Sequence, residues 1–309
     1  MPKKDRLALT RSLLNGYRQV LSEESIPETL ALLANLGALY LPLAHWINQL
    51  YKDNPIVIGI NGAQGSGKST LAKLLMHILQ EGFGRRVVSL SIDDLYLTQA
   101  ERTQLAEKIH PLLQTRGAPG THDIELGIEI ISNLKAGSVD PVSIPVFDKA
   151  TDDRAPESTW LTINGPVDII LFEGWCVGSV PVNDEQLIQP LNELERKQDP
   201  DAVWRRYVNQ QLATDYHALF ELIDKLIVLE VPSFEKVVEW RTLQEQKLRL
   251  NHPDNELNIM TDEQIRGFIM FYERITRDNL ARLPDMADIT LKINDEHQVY
   301  EVLRRRTQA

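Results

Sequence analysis

The chain has 309 residues, of which 43% are hydrophobic and 25% are charged, so its composition is that of a globular protein with a sizeable core. It contains 33 Lys and Arg residues against 44 Asp and Glu residues, which gives a formal net charge of −11. No basic stripe is concentrated along the chain, and we therefore expect no nucleic-acid partner. The single cysteine, Cys176, excludes an intramolecular disulfide and a cysteine-based zinc site, which favours a reducing, cytoplasmic compartment.

Residues 1–54 are predicted to form a helical N-terminal extension, with a break between helices at 22–27. The most apolar stretch, residues 30–44, contains Asn35 and Pro42 and is shorter than the roughly 20 residues that a helix needs to cross a bilayer. We therefore expect helices packed on the rest of the protein, no secretory signal and no membrane partner.

From residue 55 onward, short apolar runs alternate with amphipathic segments. The runs, rich in β-branched residues, predict strands at 56–60, 86–92, 167–172, 225–231 and 287–293. The remaining segments predict helices at 68–80, 123–134, 234–250, 262–283 and 296–305. This alternation implies an α/β fold with a doubly wound, mainly parallel sheet and helices on both faces. We expect one domain over 55–309, with an insertion at about 96–160 and a lid at about 240–262.

The strongest motif follows the first predicted strand. It has the spacing G-x-x-x-x-G-K-[ST] between a strand and a helix, which is the context of a phosphate-binding loop (P-loop). Its residues, all expected to contact nucleotide, are Gly62, Ala63, Gln64, Gly65, Ser66, Gly67, Lys68, Ser69 and Thr70. The glycines let backbone N–H groups form an anion cradle at the helix N-terminus. We expect Lys68 to reach the β- and γ-phosphates of ATP and the Ser69 hydroxyl to bind Mg²⁺.

Carboxylates follow the second and third predicted strands, at the edge where a doubly wound sheet binds ligands. Asp93 and Asp94 end the second strand, where one is suited to accept a proton from an attacking hydroxyl and the other to hold a Mg²⁺ water or orient the substrate. A pair of solvated turn aspartates is the alternative. Glu173 ends the third strand after an apolar run, an arrangement suited to bind Mg²⁺ directly or through water.

Two Gly- and Pro-rich loops with charges of both signs lie in the insertion. They suit a small polar acceptor better than a protein switch, and they contain no N-K-x-D guanine-binding motif. The candidate acceptor-binding residues are Asp94, Tyr96, Arg116, His122, Asp123, Asp148, Lys149 and Arg154. Arg116, Lys149 and Arg154 are the best candidates to pair with an acceptor carboxylate. Alternatively, Asp123 caps the helix that follows it, and the charges at 152–154 are solvated.

The predicted helix at 234–250 is followed by a polar segment at 251–258. A helix and loop of this kind can close over the phosphates, with Arg241 neutralising the charge of the transferring group. An ordinary surface helix with charge pairs four residues apart is the alternative.

Taken in order, these motifs resemble those of the phosphoribulokinase/uridine kinase/pantothenate kinase superfamily. The segments that carry the resemblance are 62–70, 91–96, 116–123, 145–149, 171–175 and the Trp240–Arg241 helix. The resemblance spans about 55–295 and is strongest to plant-type D-glycerate 3-kinases and their kinase-like relatives. The segments Arg-Gly-x-x-Gly-Thr-His-Asp at 116–123 and Phe-Glu-Gly-Trp at 172–175 are the more specific ones.

The resemblance implies an ATP- and Mg²⁺-dependent kinase for a small-molecule acceptor, with D-glycerate as the first expectation. By it, Asp93 is the catalytic base, Lys68 the phosphate-binding lysine, Glu173 the Mg²⁺-associated carboxylate and Arg241 a lid arginine. A nucleoside, pantothenate or a sugar phosphate stays open as the acceptor. So does a regulatory ATP-binding protein in which residues 1–54 bind a partner. The oligomeric state is also open.

Overall fold

The computed structural model of the protein describes residues 3–137, 140–251 and 260–305. The helices are α1 (Lys3–Glu23), α2 (Leu30–Asn35), α3 (Leu41–Leu50), α4 (Lys68–His77), α5 (Gln99–Lys108), α6 (Ile124–Lys135), α7 (Glu193–Gln198), α8 (Val203–Ala213), α9 (Asp215–Phe220), α10 (Phe234–Asn251) and α11 (Asp262–Met286). The strands are β1 (Ile56–Gly62), β2 (Val87–Ser91), β3 (Val142–Ile144), β4 (Phe147–Asp148), β5 (Asp153–Arg154), β6 (Leu161–Ile163), β7 (Ile169–Gly174), β8 (Lys225–Glu230), β9 (Ile289–Ile293) and β10 (Val299–Arg304).

The main sheet has the strand order β10-β9-β8-β1-β7-β2. All neighbours are parallel except β10, which is antiparallel to β9 at the edge. Strands lie on both sides of the central β1, so the predicted doubly wound, mainly parallel architecture is confirmed. Glu173 of β7 is in register with Ile60 of β1 and Ser91 of β2, so the carboxyl ends of these three strands meet at one edge.

An apolar core lies on each face of this sheet. Along β7, Ile169 and Leu171 belong to one core, and Ile170 and Phe172 belong to the other. Successive side chains of a strand point to opposite faces, so a strand covered on both faces is apolar throughout. The carboxylates Asp93 and Glu173 therefore lie where the buried strands β2 and β7 end.

The helical N-terminal extension packs on the face of the sheet that also carries α4. Tyr17 of α1 is fully buried and donates a hydrogen bond to the Leu32 carbonyl oxygen at 2.7 Å. By length and composition, Leu30–Leu50 is an apolar helical stretch long enough to cross a membrane. Leu41 and Ile47 of this stretch are fully buried in the same core as β1, so its C-terminal half packs on the main sheet.

The C-terminal element differs from the prediction. Residues 296–305 were expected to form a helix, and this prediction is wrong, because Val299–Arg304 forms the edge strand β10. The strand is exposed along almost its whole length. Its sequence therefore lacks the alternation of apolar and polar residues that indicates a half-buried strand. Its hydrogen bonds come from β9, a partner that the local sequence does not reveal. Helices α7, α8 and α9, which lie between β7 and β8, were not among the predicted elements.

Candidate functional site

The P-loop wraps the carboxyl end of β1 and leads into α4. Gly67 has a φ of +88° and precedes the first residue of α4, a left-handed conformation that glycine adopts without strain. Gly65 has a φ of +76°, and a Cβ at this position would lie 3.1 Å from Cβ of Trp240 on α10. The loop therefore has the backbone shape of an anion cradle, and α10 packs directly on it.

The turn between β9 and β10 also contacts the P-loop. The Nε2 atom of His297 donates a hydrogen bond to the Gly65 carbonyl oxygen at 3.0 Å. The His297 ring packs against Trp240 at a tilt of 32°, with 3.6 Å between ring centroids. The sequence alone does not reveal this contact, because it depends on the hairpin that replaces the predicted C-terminal helix.

The two candidate Mg²⁺ ligands are neighbours. Ser69 Oγ donates a hydrogen bond to Glu173 Oε1 at 2.8 Å. Glu173 is only 5% exposed, and its Oε2 atom has no hydrogen-bond partner among the described residues. A hydroxyl and a carboxylate at the P-loop suit Mg²⁺, which takes few protein ligands and binds the rest of its shell to phosphates and water. No group of three His, Cys, Asp or Glu residues suited to a metal occurs within 3–137, 140–251 and 260–305.

Thr70, the last residue of the predicted P-loop set, contacts the N-terminal extension. Its hydroxyl donates to Glu24 Oε2 at 3.0 Å, and Lys73 of α4 pairs with the other oxygen of Glu24. The extension is therefore tied to the first turns of the P-loop helix through one carboxylate.

Asp93 lies in the turn that follows β2, and both of its carboxylate oxygens have partners. Tyr96 donates its hydroxyl to Oδ1 at 3.1 Å, and the Lys149 ammonium donates to Oδ2 at 2.8 Å. Burial raises the pKa of Asp93, but the positive charges of Lys149 and Lys68 outweigh this, and the pKa is lowered to about 2. Asp93 is therefore ionised and lies within the electrostatic field of the P-loop lysine.

Asp94 lies in a different environment from its neighbour. Its Oδ1 accepts a hydrogen bond from the Phe147 N–H at 3.3 Å. Burial, with repulsion from Asp93, raises the pKa of Asp94 to about 6. The two adjacent carboxyl groups thus differ strongly in proton affinity, which is typical of a site with separate roles for two acids.

His122 faces the same turn. Its ring stacks on Tyr96 at 4.3 Å between centroids, and Nδ1 is hydrogen bonded to the Tyr216 hydroxyl at 2.5 Å. Burial lowers the pKa of His122 to about 3, so the ring is neutral at physiological pH. Nε2 is buried without a hydrogen-bond partner among the described residues. It remains able to pair with a bound acceptor.

The arginines proposed for the acceptor already pair with carboxylates of the protein. Arg116 pairs with Asp152. Arg154 donates to Asp123 Oδ2 at 3.1 Å and to the Tyr96 carbonyl oxygen at 3.0 Å. Asp123 also caps α6, since its Oδ1 accepts from the Leu126 N–H at 3.1 Å. These residues therefore shape the loops of the site by holding one another.

Asp148 and Lys149 lie in and beside the short β4–β5 hairpin. Asp148 accepts from the Ala150 N–H at 2.9 Å and from the Thr151 hydroxyl at 3.0 Å, so its side chain organises the turn. The side chain of Lys149 is 60% exposed, against 24% for Arg116 and 13% for Arg154. Of these three cations, Lys149 is the one with freedom to change partners.

Arg241 lies on α10 next to the P-loop contact of Trp240. Its guanidinium is 2.5 Å from Glu245 Oε2, one turn further along the same helix. Its backbone N would be 3.8 Å from a Cβ on Gly65. Arg241 is therefore beside the phosphate cradle, with its charge held by a partner on its own helix. The predicted lid at 240–262 includes residues 252–259, which lie outside the described residues, as does most of the predicted polar segment 251–258.

Two aromatic residues complete the site. Trp175, just after Glu173, packs edge-on against Tyr272 of α11 at 4.7 Å between ring centroids. The Tyr272 hydroxyl donates to the Arg116 carbonyl oxygen at 3.4 Å. A Cβ on Gly117 would lie 2.3 Å from the Tyr272 hydroxyl oxygen. Trp175 belongs to the Phe-Glu-Gly-Trp segment that the sequence analysis used. Nothing in the sequence around Tyr272 indicates that it contacts the loop at 116–123.

Comparison with known proteins relates the chain to kinases. No protein-family model matches it. It is 36% identical over 226 residues to the uncharacterized kinase mug58 of Schizosaccharomyces pombe, covering 71% of this chain and 78% of the relative. It is 29% identical over 260 residues to the chloroplastic D-glycerate 3-kinase of Arabidopsis thaliana, covering 77% of this chain and 53% of that enzyme.

A solved structure supports the same relationship. The D-glycerate 3-kinase from Cryptococcus neoformans superimposes with a TM-score of 0.70 at 25% identity, covering 86% of this chain and 97% of that one. The similarity to the S. pombe kinase mug58 extends over most of both chains. The fold places the P-loop, Asp93 and Glu173 at one edge of the sheet. The chain therefore belongs to the P-loop kinase superfamily, and it is similar to D-glycerate 3-kinases within it.

Proposed function

We propose that this P-loop kinase transfers the γ-phosphoryl group of ATP to the 3-hydroxyl of D-glycerate, giving 3-phosphoglycerate and ADP. The observation that carries the acceptor class is the 2.8 Å contact between Lys149 and Asp93, which sets an exposed cation beside the candidate base. An acceptor with a hydroxyl on Asp93 and a carboxylate on Lys149 uses both groups. The relatives named D-glycerate 3-kinases support this choice.

Asp93 acts as the base in this proposal. Its Oδ2 accepts the proton of the acceptor hydroxyl while the hydroxyl oxygen bonds to the γ-phosphorus. The bond between the γ-phosphorus and the bridging oxygen breaks, and ADP leaves with the electron pair. A pKa of about 2 makes Asp93 a weak base, so it takes the proton only as the new bond forms.

The P-loop and α10 supply the positive charge that phosphoryl transfer requires. Lys68 lies close enough to Asp93 to lower the pKa of that carboxyl, which supports a role for its ammonium at the transferring phosphoryl group. Arg241 would leave Glu245 and reach the transferring group. Ser69 and Glu173 would hold Mg²⁺, which when bound neutralises charge on the β- and γ-phosphates. Asp94 would orient the acceptor or a Mg²⁺ water.

The acceptor lies between the β4–β5 hairpin, Tyr96 and His122 in this proposal. His122 is neutral and offers Nε2 for a second hydroxyl of the acceptor. We further propose that the enzyme acts in the cytoplasm without nucleic-acid or membrane partners, in line with its formal net charge of −11.

The test is identification of the product. The purified protein is incubated with Mg·ATP and D-glycerate, and phosphorus NMR or mass spectrometry with authentic standards identifies the phosphorylated acid. The proposal predicts 3-phosphoglycerate in equal amount to ADP. Formation of 2-phosphoglycerate contradicts the proposed position of transfer, and ADP formation without a phosphorylated acid contradicts the proposed function.

A further inference from the structure

The carboxylate of Asp93 has little capacity left for an acceptor hydroxyl. Oδ1 accepts the Tyr96 hydroxyl at 3.1 Å, and Oδ2 accepts the Lys149 ammonium at 2.8 Å. Tyr96 is only 2% exposed and fixed between the rings of His122 and Phe147, so it cannot easily leave. Lys149 is therefore the partner that must yield Oδ2 to the reacting hydroxyl.

Lys149 is also the partner best able to move. Its side chain is 60% exposed, whereas that of Asp93 is 28% exposed. It stands at the start of the hairpin turn, and the turn itself is held by Asp148 through Ala150 and Thr151. The ammonium can therefore change partners by rotation of its own long side chain, without rearrangement of the loop.

The acceptor of the proposed function carries the group that can draw Lys149 away. In D-glycerate, the carboxylate and the reacting 3-hydroxymethyl group are attached to the same carbon. A hydroxyl that approaches Oδ2 of Asp93 therefore brings the carboxylate next to Lys149. Arg116 and Arg154 compete weakly for this carboxylate, since each already pairs with an aspartate of the protein.

We propose that the acceptor carboxylate takes the Lys149 ammonium from Asp93 and thereby frees Oδ2 to accept the proton of the hydroxyl. Lys149 is then a specificity-determining residue that makes turnover, and not only binding, depend on a carboxylate in the acceptor. This inference rests on the proposed glycerate kinase function. The exchange conserves charge, because the ammonium leaves one carboxylate and joins another while Asp93 stays ionised.

The test compares D-glycerate with its neutral analogue D-glyceramide, in which an amide replaces the carboxylate. Values of kcat and KM are measured for the wild type and Lys149→Gln, with Lys149→Met as a second variant. Lys197→Gln is the matched control, because Lys197 is an exposed lysine paired with Glu193 on α7, on a different segment from the acceptor loops. Thermal unfolding and ATP binding check that each variant is folded.

For the wild type, we expect a kcat on D-glyceramide at least about 100-fold below that on D-glycerate, since the base is not freed. In Lys149→Gln, KM for D-glycerate rises because its carboxylate loses a partner, and kcat on D-glyceramide rises about 10-fold above the wild-type value, because Oδ2 is no longer occupied. A residue that only binds the carboxylate, or only supports the fold, would not raise turnover of the neutral analogue. Lys197→Gln is expected to match the wild type on both compounds.

Two outcomes overturn the inference. If folded Lys149→Gln and Lys149→Met turn over D-glyceramide no faster than the wild type while the wild type phosphorylates D-glycerate, Lys149 does not control the base, and the proposed function stands. If the wild type phosphorylates neither compound, the proposed function fails together with the inference.

Discussion

Ser69 Oγ lies 2.8 Å from Glu173 Oε1, although 104 residues separate them in the chain. The contact joins the start of the P-loop helix to the end of β7, because β1 and β7 are parallel neighbours that carry their loops at the same edge. A hydroxyl and a buried carboxylate, one oxygen of which has no partner in the described part of the chain, come together where phosphates would bind. Mg²⁺ binding by these two residues is the role that this geometry supports.

Glu173→Gln tests the metal role. The amide keeps the size of the side chain but removes its charge, so we expect the Mg²⁺ concentration for half-maximal activity to rise about 10- to 100-fold. A Mg²⁺ titration of activity at saturating ATP measures this change. Glu193→Gln, a change at an exposed glutamate paired with Lys197, is the control. An unchanged Mg²⁺ requirement in Glu173→Gln would remove Glu173 from the metal site.

Asp93→Asn tests the base. Asparagine keeps one of the two acceptor oxygens that Tyr96 and Lys149 use and cannot take a proton, so we expect kcat to fall about 10²- to 10⁴-fold. ATP binding, measured by calorimetry, should stay close to that of the wild type. Acceptor-dependent turnover near the wild-type rate would show that another group accepts the proton.

Arg241→Ala tests whether Arg241 stabilises the transferring phosphoryl group. If Arg241 leaves Glu245 to stabilise the transferring phosphoryl group, kcat should fall at least about 100-fold with a smaller change in KM for ATP. Steady-state kinetics with both substrates varied separates the two constants. Arg18→Ala is the control, because Arg18 forms an exposed pair with Glu28 in the N-terminal extension. Equal kinetics of the wild type and Arg241→Ala would assign Arg241 to the internal pair alone.

Much of the fold could be predicted from sequence, because its signals are local. The strand before the P-loop, the glycine spacing and Lys68 occupy one short segment, and their context identifies them without any distant contact. The apolar run that ends at Glu173 is likewise a local signal of a central parallel strand. Parallel topology then requires that the carboxyl ends of these strands meet.

Contacts between distant segments could not be predicted. The exposed strand β10 depends on β9 for its hydrogen bonds and has an amphipathic appearance that favoured a helix. The sequence predicted Arg116, Lys149 and Arg154 as candidate partners of an acceptor carboxylate, but not their partners within the protein, which come from other segments of the chain. Tyr272 is a further case, since its place against Gly117 follows from the packing of α11.

Asp94→Asn gives a pH-dependent effect on stability. Burial raises the pKa of Asp94 from 3.8 to about 6, so the folded state holds this proton more tightly than the unfolded state. Tighter binding of this proton stabilises the folded state fully below pH 3.8, and this contribution is lost as the pH rises through about 6. Asparagine can still accept from the Phe147 N–H and carries no charge.

We therefore expect Asp94→Asn to be more stable than the wild type at pH 8, by about 1–2 kcal/mol. At pH 5 about half of this gain should remain, since pH 5 lies between the two pKa values. Urea unfolding at the two pH values measures both free energies. An equal change in stability at pH 5 and pH 8 would mean that burial does not raise the pKa of Asp94.

Ile47→Ala tests how the N-terminal extension is joined to the kinase fold. Ile47 is fully buried in the core that also contains Ile58 and Leu74. Removing its side-chain carbons should lower the free energy of unfolding by about 2–5 kcal/mol. The whole chain should still unfold in one calorimetric transition, at a lower temperature. Two transitions, with the later one unchanged from the wild type, would describe an extension that folds separately.

ADP release by the purified protein with Mg·ATP and a panel of acceptors tests the proposed kinase function most directly. The panel contains no acceptor, D-glycerate, L-glycerate, uridine, cytidine, pantothenate and ribulose 5-phosphate. The proposed function predicts a large stimulation by D-glycerate alone, which is lost in Asp93→Asn. Stimulation by a different compound, or by none while ATP still binds, would contradict it.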